Sequence, residues 1–348
     1  MTSPIAARTE GTKVYLDGVE PMTWGGGEMC EFASALTRML ACVGDHVPYH
    51  YVMGVTGVAF RFTIGSELWN PGFYGFENVA ADAHDLVRRA FAAVGYGYHL
   101  HAAGDMADDL ARIAGSIERG VAVMLKGNVI DASDWALITG TDGDVLLGTS
   151  PYSPGERGEQ FKGYDVVRGW HPKTREYILL GEKGERPPDA DIYAEALRLA
   201  VRLVRTPKVG DRFTGLRAYE ALAAELREEE FRKNARDKDA WLWFGYLCLL
   251  CYNMMLDDHR SAEPFLKDAA GALPECAAEL AEAAECYERS LALRDELEAI
   301  LPSNFSQEAQ QKLLDRSVRD AFACALLEIR DAEETGIACI EQALAARA

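Results

Sequence analysis

The composition of the chain changes once, and sharply. Up to about residue 186, glycines, turn signals and short strand-like apolar runs dominate; from Asp189 onward Ala, Glu, Leu and Arg take over. Between the two regimes lies "GEKGERPPDAD", where Pro187 and Pro188 remove backbone donors and push the preceding residue out of the helical region. With 348 residues, 49% of them hydrophobic, the chain exceeds one ordinary domain and can bury a core in each of two. The expected fold class is α+β: an α/β domain with a mainly antiparallel sheet over 1–186, followed by an all-α helical bundle domain over 187–348.

In the second half the periodicity predicts helices over 189–205, 215–231, 239–256, 262–272, 275–300 and 307–345, with Pro207, Pro274 and Pro302 as punctuation. The last of these carries Leu313, Leu314, Val318, Phe322, Ala325, Leu326, Ile329 and Ile340 at helical spacing, a stripe that reads as core. Its second amphipathic face could support a homo-oligomer. No repeat of about 34 residues is visible, so a bundle is expected rather than a solenoid.

In the first half, "CEFASALTRMLACVG" and "AADAHDLVRRAFAAVG" read as helices closed by Gly44 and Gly95, and "DDLARIAGSIERG" as a third. "VAVMLKG" is a short buried strand, "DWALITG" and "DVLLGTS" flank the hairpin signal Asp142-Gly143, and "EYILLGE" supplies a last strand.

Fifty-five acidic against thirty-six basic residues give a formal charge of -19, a field that repels polyanions, so no nucleic-acid partner is expected. The first residues lack a basic run followed by an apolar stretch, and no segment reaches about 18 uninterrupted apolar residues. A cytoplasmic protein without membrane contact is the expectation. Eight cysteines are scattered without a disulfide framework, several among alanines and leucines, which suits reduced core thiols. Cys248 and Cys251 lie in an apolar helical run without a second ligand pair, and packing is the expectation there. "TDGD" lacks a calcium loop, "GVTGVAF" lacks the lysine of a phosphate loop, and "WGGGE" is too short for a dinucleotide fingerprint. Neither metal nor cofactor is expected.

One helix start stands out. Phe32, Leu36, Met39, Leu40 and Val43 share one face, whereas Cys30, Ser34, Thr37 and Ala41 fall on another. A helix with one greasy face and one small-residue face is often packed on two sides, the second lining a groove. Cys30 would sit in the first turn, where the dipole and open N–H groups lower a thiol's pKa and offer donors to an oxyanion. Gly25, Gly26 and Gly27 would let a substrate approach the backbone. The plain alternative is that Cys30 is one ordinary cysteine of eight.

Helix-initial Cys30, followed after three helices by "DWALITGTDGDVLLGTSP", resembles the bacterial papain-like cysteine peptidase and acyltransferase superfamily. It is most similar to the amino-terminal domain of the butirosin-biosynthesis acyltransferase and to the double-glycine-leader peptidases of bacteriocin exporters. "YHYVMGVTGVAFRF" also looks like the glycine-rich stretch after the first helix of the butirosin-type domain. The resemblance covers residues 20 to 182 and implies a Cys nucleophile, a His base opening a strand, an Asp or Asn orienting it, and an upstream oxyanion Gln. Cys30 matches the nucleophile. The other three positions fall on Asp134, on about Ser150 and on Trp24. A carboxylate facing Cys30 would work against its ionisation, so standard Cys–His proteolysis is disfavoured.

Other residues could complete such a site. His50, or His99 and His101 on one strand face in "YGYHLHAAG", are alternative bases, against the plainer reading of hydrogen-bonded surface histidines. Trp69 and Tyr74 in "ELWNPGFYGFEN" are candidates for a lid, and Trp24, Gly26, Gly27, Ser34 and Trp135 for the groove wall. Three functions compete: Cys30-dependent acyl transfer or amide hydrolysis on a small acyl-carrier, peptide or amine substrate, with Asp134 as an atypical partner; an inactive scaffold of the same fold binding a small molecule or peptide; and an interaction protein working through its helical half.

Overall fold

The hairpin signalled by Asp142-Gly143 forms at the centre of the larger sheet. Strand β6 (Trp135–Asp142) returns as β7 (Val145–Thr149) with Asp142 opposite Val145, so the two-residue loop is Gly143-Asp144, with φ 61° at Gly143. In this computed structural model, which describes residues 3–23, 27–65, 82–131, 134–152, 158–228, 255–301 and 307–347, the chain is α+β with antiparallel sheets and a C-terminal helical region.

The chain falls into two compact units, 1–52 with 90–187, and 53–89 with 188–348. The first holds β1 (Ala7–Glu10), β2 (Lys13–Leu16), α1 (Glu31–Cys42), β4 (Tyr96–Ala102), α4 (Met106–Glu118), β5 (Val123–Lys126), β8 (Gln160–Phe161), β9 (Tyr164–Val167) and β10 (Glu176–Lys183) around β6 and β7. Its strands run β4-β10-β5-β6-β7-β9-β8, every ladder antiparallel; β6 pairs with β5 along its first half and with β2 along its second. β6 is apolar and almost wholly buried, as befits a strand paired along both edges. α1 ends as expected: Gly44 takes φ 83° and donates to the Ala41 carbonyl. α4 starts at Asp105, whose carboxylate accepts from the N–H groups of Ala107 and Asp108.

Two short helices cross the partition, α2 (Tyr49–Val55) and α3 (Ala83–Val94). The second unit holds β3 (Thr63–Gly65), α5 (Asp189–Arg205), β11 (Lys208–Val209), β12 (Arg212–Thr214), α6 (Leu216–Arg227), α7 (Met255–Ala272), α8 (Ala277–Ile300), α9 (Gln307–Leu313) and α10 (Arg316–Ala346).

Three expectations need correcting. The single boundary between 186 and 187 is one of three crossings, because "VMGVTGVAFRF" is too apolar to stay at a surface. Phe60 packs edge-to-face on Phe265 and Tyr287, and Phe62 stacks on Tyr219 at 4.0 Å. The stretch expected to belong to the α/β half is therefore core of the helical unit. Nor is that unit all-helical: β3, β12 and β11 form a three-stranded antiparallel sheet within it. The long helix expected over 307–345 is two, since Asp315 caps α10 by accepting from Ser317 N–H at 2.8 Å, and buried Arg319 donates to the carbonyls of Leu313 and Leu314. The helix expected over 239–256 and the pair Cys248 and Cys251 lie almost wholly or wholly outside the described residues. No helix among the described residues is long and apolar enough to cross a membrane.

Phe60 is fully buried among aromatic rings of α7 and α8. Phe60→Ala is expected to cost the helical unit about 3–5 kcal/mol, the usual price of a buried Phe cavity, read as a lowered urea midpoint of the helical circular-dichroism signal.

Candidate functional site

The start of α1 lies beside the start of β6. Glu31, in the first turn, accepts a hydrogen bond from Trp135 N–H at 2.5 Å, and Phe32 meets the Trp135 ring edge-to-face at 5.5 Å. Cys30 is the N-cap, in extended backbone, with its carbonyl accepting from Ser34 N–H. The sequence therefore does bring Cys30 and the strand opened by Asp134 into one neighbourhood, at a helix amino end.

The chemistry of that neighbourhood differs from an activated thiol's. Cys30 is 6% exposed, and its backbone N–H, which an oxyanion would need, donates to the Tyr49 hydroxyl at 2.8 Å. Glu31 already places a carboxylate where the helix dipole favours an anion. Asp134 is 8% exposed and ion-pairs with Arg175 through Oδ1. The backbone fixes that pair: Gly127 N–H donates to the Asp134 carbonyl, Arg175 N–H donates to the Lys126 carbonyl, and a Cβ on Gly127, at φ 132°, would meet the Lys173 carbonyl at 2.1 Å. Lys126 stands over the Trp135 ring and reaches Glu176 at 3.4 Å. Burial and the Glu31 charge together push the Tyr152 hydroxyl pKa up, which keeps it neutral. Ser150, at the expected orienting position, is buried, accepts from Tyr152 N–H, and donates toward the Ile130 carbonyl at 3.5 Å.

The other expected residues divide. Trp135, placed on the groove wall by the sequence, is 1% exposed and belongs to the core, because it is the first residue of a central strand and faces Phe32. Ser34 is buried and bonds Glu28 and Arg38. Gly27 adopts φ 84° next to Glu28. Trp24, Gly26, Trp69 and Tyr74 lie outside the described residues. His50 follows Tyr49 in α2 and is half-buried. His99 and His101 do share β4, with ring centroids 6.5 Å apart, but β10 and β5 stand between β4 and β6, about 14 Å at the usual strand spacing. They are therefore not placed as bases for Cys30. His101 stacks on Tyr177, and its pKa is lowered by burial and by Arg112 and His99. Tyr177 donates to Asp109 at 2.8 Å, and His171 Nε2 lies 3.2 Å from the same carboxylate. Burial opposes ionisation of Asp109, but Gly104 N–H, Tyr177 and His171 outweigh it and hold the carboxyl below its usual range. Among the described residues no three His, Cys, Asp or Glu are grouped to hold a metal.

The small-residue face of α1 does line a cavity, farther along the helix than Cys30. A pocket of about 500 Å³ is bounded by Glu28, Thr37, Arg38 and Ala41, by Gly18, Val19 and Glu20, and by His46, Val47, Pro48 and Tyr49, with Ser3 and Ile5 at its edge. Arg38 is spent within its wall: Nη1 pairs with Glu28 at 2.6 Å and donates to Ser34, Nε donates to the Glu20 carbonyl, and Nη2 to the Pro21 carbonyl. Sequence reasoning found the helix face but not Arg38 on the same helix, nor Glu20, Glu28, His46 or Tyr49, which come from flanking segments without a motif.

No family model matches the chain, and no curated protein matches it.

Tyr49→Phe removes the acceptor for Cys30 N–H and leaves a buried donor at the start of α1. It is expected to cost about 1–3 kcal/mol in chemical denaturation, whereas a change below about 0.3 kcal/mol would mean the bond does not hold the helix start.

Proposed function

We propose that the α/β unit is a papain-like scaffold that binds a small amine-bearing ligand, a free amine or the amino end of a short peptide, without turnover at Cys30. The observation that carries this reading is the pocket beside α1. Its charged wall consists of Glu20, Glu28 and one guanidinium already committed to Glu28 and to backbone carbonyls, so the remaining field favours a cation. Thr37, His46 and Tyr49 add polar groups that could orient such a ligand, and Val19, Val47 and Pro48 add apolar surface.

What supports the absence of turnover is the state of the thiol's surroundings. A nucleophilic cysteine needs a base to take its proton and donors to receive the oxyanion. Here the strand residue in the base position is an acid paired with Arg175, and the Cys30 N–H serves Tyr49. The competing reading, acyl transfer or amide hydrolysis through Cys30, draws on the helix-start cysteine lying next to the first residues of β6. An acyl-carrier substrate would bring phosphate charge toward Glu20, Glu28 and Glu31, which argues against it.

Two measurements on the full chain test the proposal. Putrescine and glycylglycine amide are expected to raise the melting temperature in a saturable way, by an amount equivalent to about 2.7 kcal/mol at one hundred times Kd, while acetate does not. Glu20→Gln should weaken that effect. In iodoacetamide labelling read by mass spectrometry, exposed Cys324 should react at least about tenfold faster than Cys30 at pH 7. Faster labelling of Cys30, or thioester hydrolysis abolished by Cys30→Ala, would restore the catalytic reading.

A further inference from the structure

The helical unit encloses a set of polar groups that the α/β unit does not use. Arg61 Nε pairs with Asp258 Oδ2 at 2.9 Å, with side chains 3% and 2% exposed, so each neutralises the other inside the unit. His259, the next residue of α7, is buried with Nδ1 3.1 Å from the Ser290 hydroxyl of α8. Ser290 donates its single hydroxyl hydrogen to the Tyr287 carbonyl at 2.7 Å, so its oxygen must accept from His259, and Nδ1 carries the hydrogen. The other nitrogen, Nε2, then faces Tyr219 Oη of α6 at 3.4 Å and Glu333 Oε1 of α10 at 3.8 Å.

Glu333 is fully buried. Among the described residues, the groups that act on it besides His259 are Tyr219, Tyr287 and Asp258, none of them a lysine or arginine. With Arg61 paired to Asp258, a bare carboxylate at Glu333 would be a buried charge without compensation, costing several kcal/mol by general solvation arguments. One proton removes that cost, on Glu333 itself or transferred to His259 Nε2. The number of bound protons is the same in both arrangements.

The same groups hold the strap formed by residues 54–65. Phe60 leans on the Tyr287 ring at 5.4 Å, Phe62 stacks on the Tyr219 ring at 4.0 Å, and Arg61 between them pairs with Asp258. Both tyrosines that support the strap therefore face Glu333.

We propose that Glu333 and His259 jointly hold one buried proton, and that its loss loosens the strap of residues 54–65 from the helical unit, making this unit an alkaline-sensitive element of the protein. Burial pushes the Glu333 pKa up from 4.5 to about 8 and pushes the His259 pKa down from 6.5 to about 3. In the unfolded chain the carboxyl loses its proton above 4.5 and the imidazole above 6.5, so between 6.5 and about 8 the native pair holds one proton more. Stability then falls as pH rises through that window. Below 4.5 the order reverses, because the unfolded imidazole takes a proton that the buried one refuses; between 4.5 and 6.5 the two slopes cancel.

Urea unfolding of the full chain, followed by circular dichroism from pH 6.5 to 8, reads this directly. The unfolding constant of the wild type is expected to rise about tenfold per pH unit, the slope of one proton. Glu333→Gln, which fixes the neutral form, should flatten the slope. Tryptic cleavage after Arg61, normalised to cleavage after exposed Arg8, should increase with pH in the wild type and not in E333Q. Equal slopes in both proteins, or Arg61 cleavage that ignores pH, would overturn the proposal. Should E333Q fail to fold, calorimetry of the wild type at pH 7.5 in buffers of different ionisation heat decides the matter: about one proton released on unfolding supports the shared proton, and none refutes it.

Discussion

A single hydrogen bond, Trp135 N–H to the Glu31 carboxylate, joins the first turn of α1 to the first residue of the central strand β6. It satisfies a strand-end donor and puts a negative charge at the positive end of a helix, so both partners gain from it. Cys30 and Asp134 each stand one residue before a partner of this bond. It also decides what the junction can do. With Glu31 in the anion position and Tyr49 on the Cys30 amide, the helix start is saturated by the protein's own groups, and the room left for a ligand lies one to three turns farther on.

Asp134 shows how one residue type decides what the head of a strand can do. A histidine at the head of that strand would exchange protons with a thiol; an aspartate there requires a cation, and Arg175 from the start of β10 supplies it. Gly127 makes the approach of the Lys173 segment possible, since any side chain would strike a carbonyl. The glycine, the arginine and the aspartate thus form one structural device at the head of β6.

Elements whose signals are local were legible in the sequence. Gly44 and Gly95 close their helices, the turn beside Asp142 makes its hairpin, and α5 runs over 189–205 as its periodicity requires. The misreadings arose where distant residues decide. Nothing local says that Phe60 and Phe62 will bury against Phe265, Tyr287 and Tyr219, so the unit boundary was misplaced. The helical spacing over 307–345 does not mark Asp315 as a cap, and Arg319 settles the break by holding the exposed carbonyls. At the site, helix periodicity identified the face with Thr37 and Ala41, but the carboxylates that set its charge come from loops.

Buried acids meet two fates in this chain of net charge -19, pairing with a guanidinium at Asp134 and Asp258 and a raised pKa at Glu333. In the α/β unit, Asp134 meets a guanidinium, and Asp109 meets an amide, a phenol and an imidazole that hold its carboxyl below the usual range. In the helical unit, Arg61 is paired with Asp258, and burial leaves the Glu333 carboxyl better protonated than charged. Each added surface anion makes the potential at Glu333 more negative and strengthens its hold on the proton, and the same field acts on the carboxylates that line the α/β pocket. Excess acidity therefore acts on both units in a common direction, making each further buried negative charge costlier.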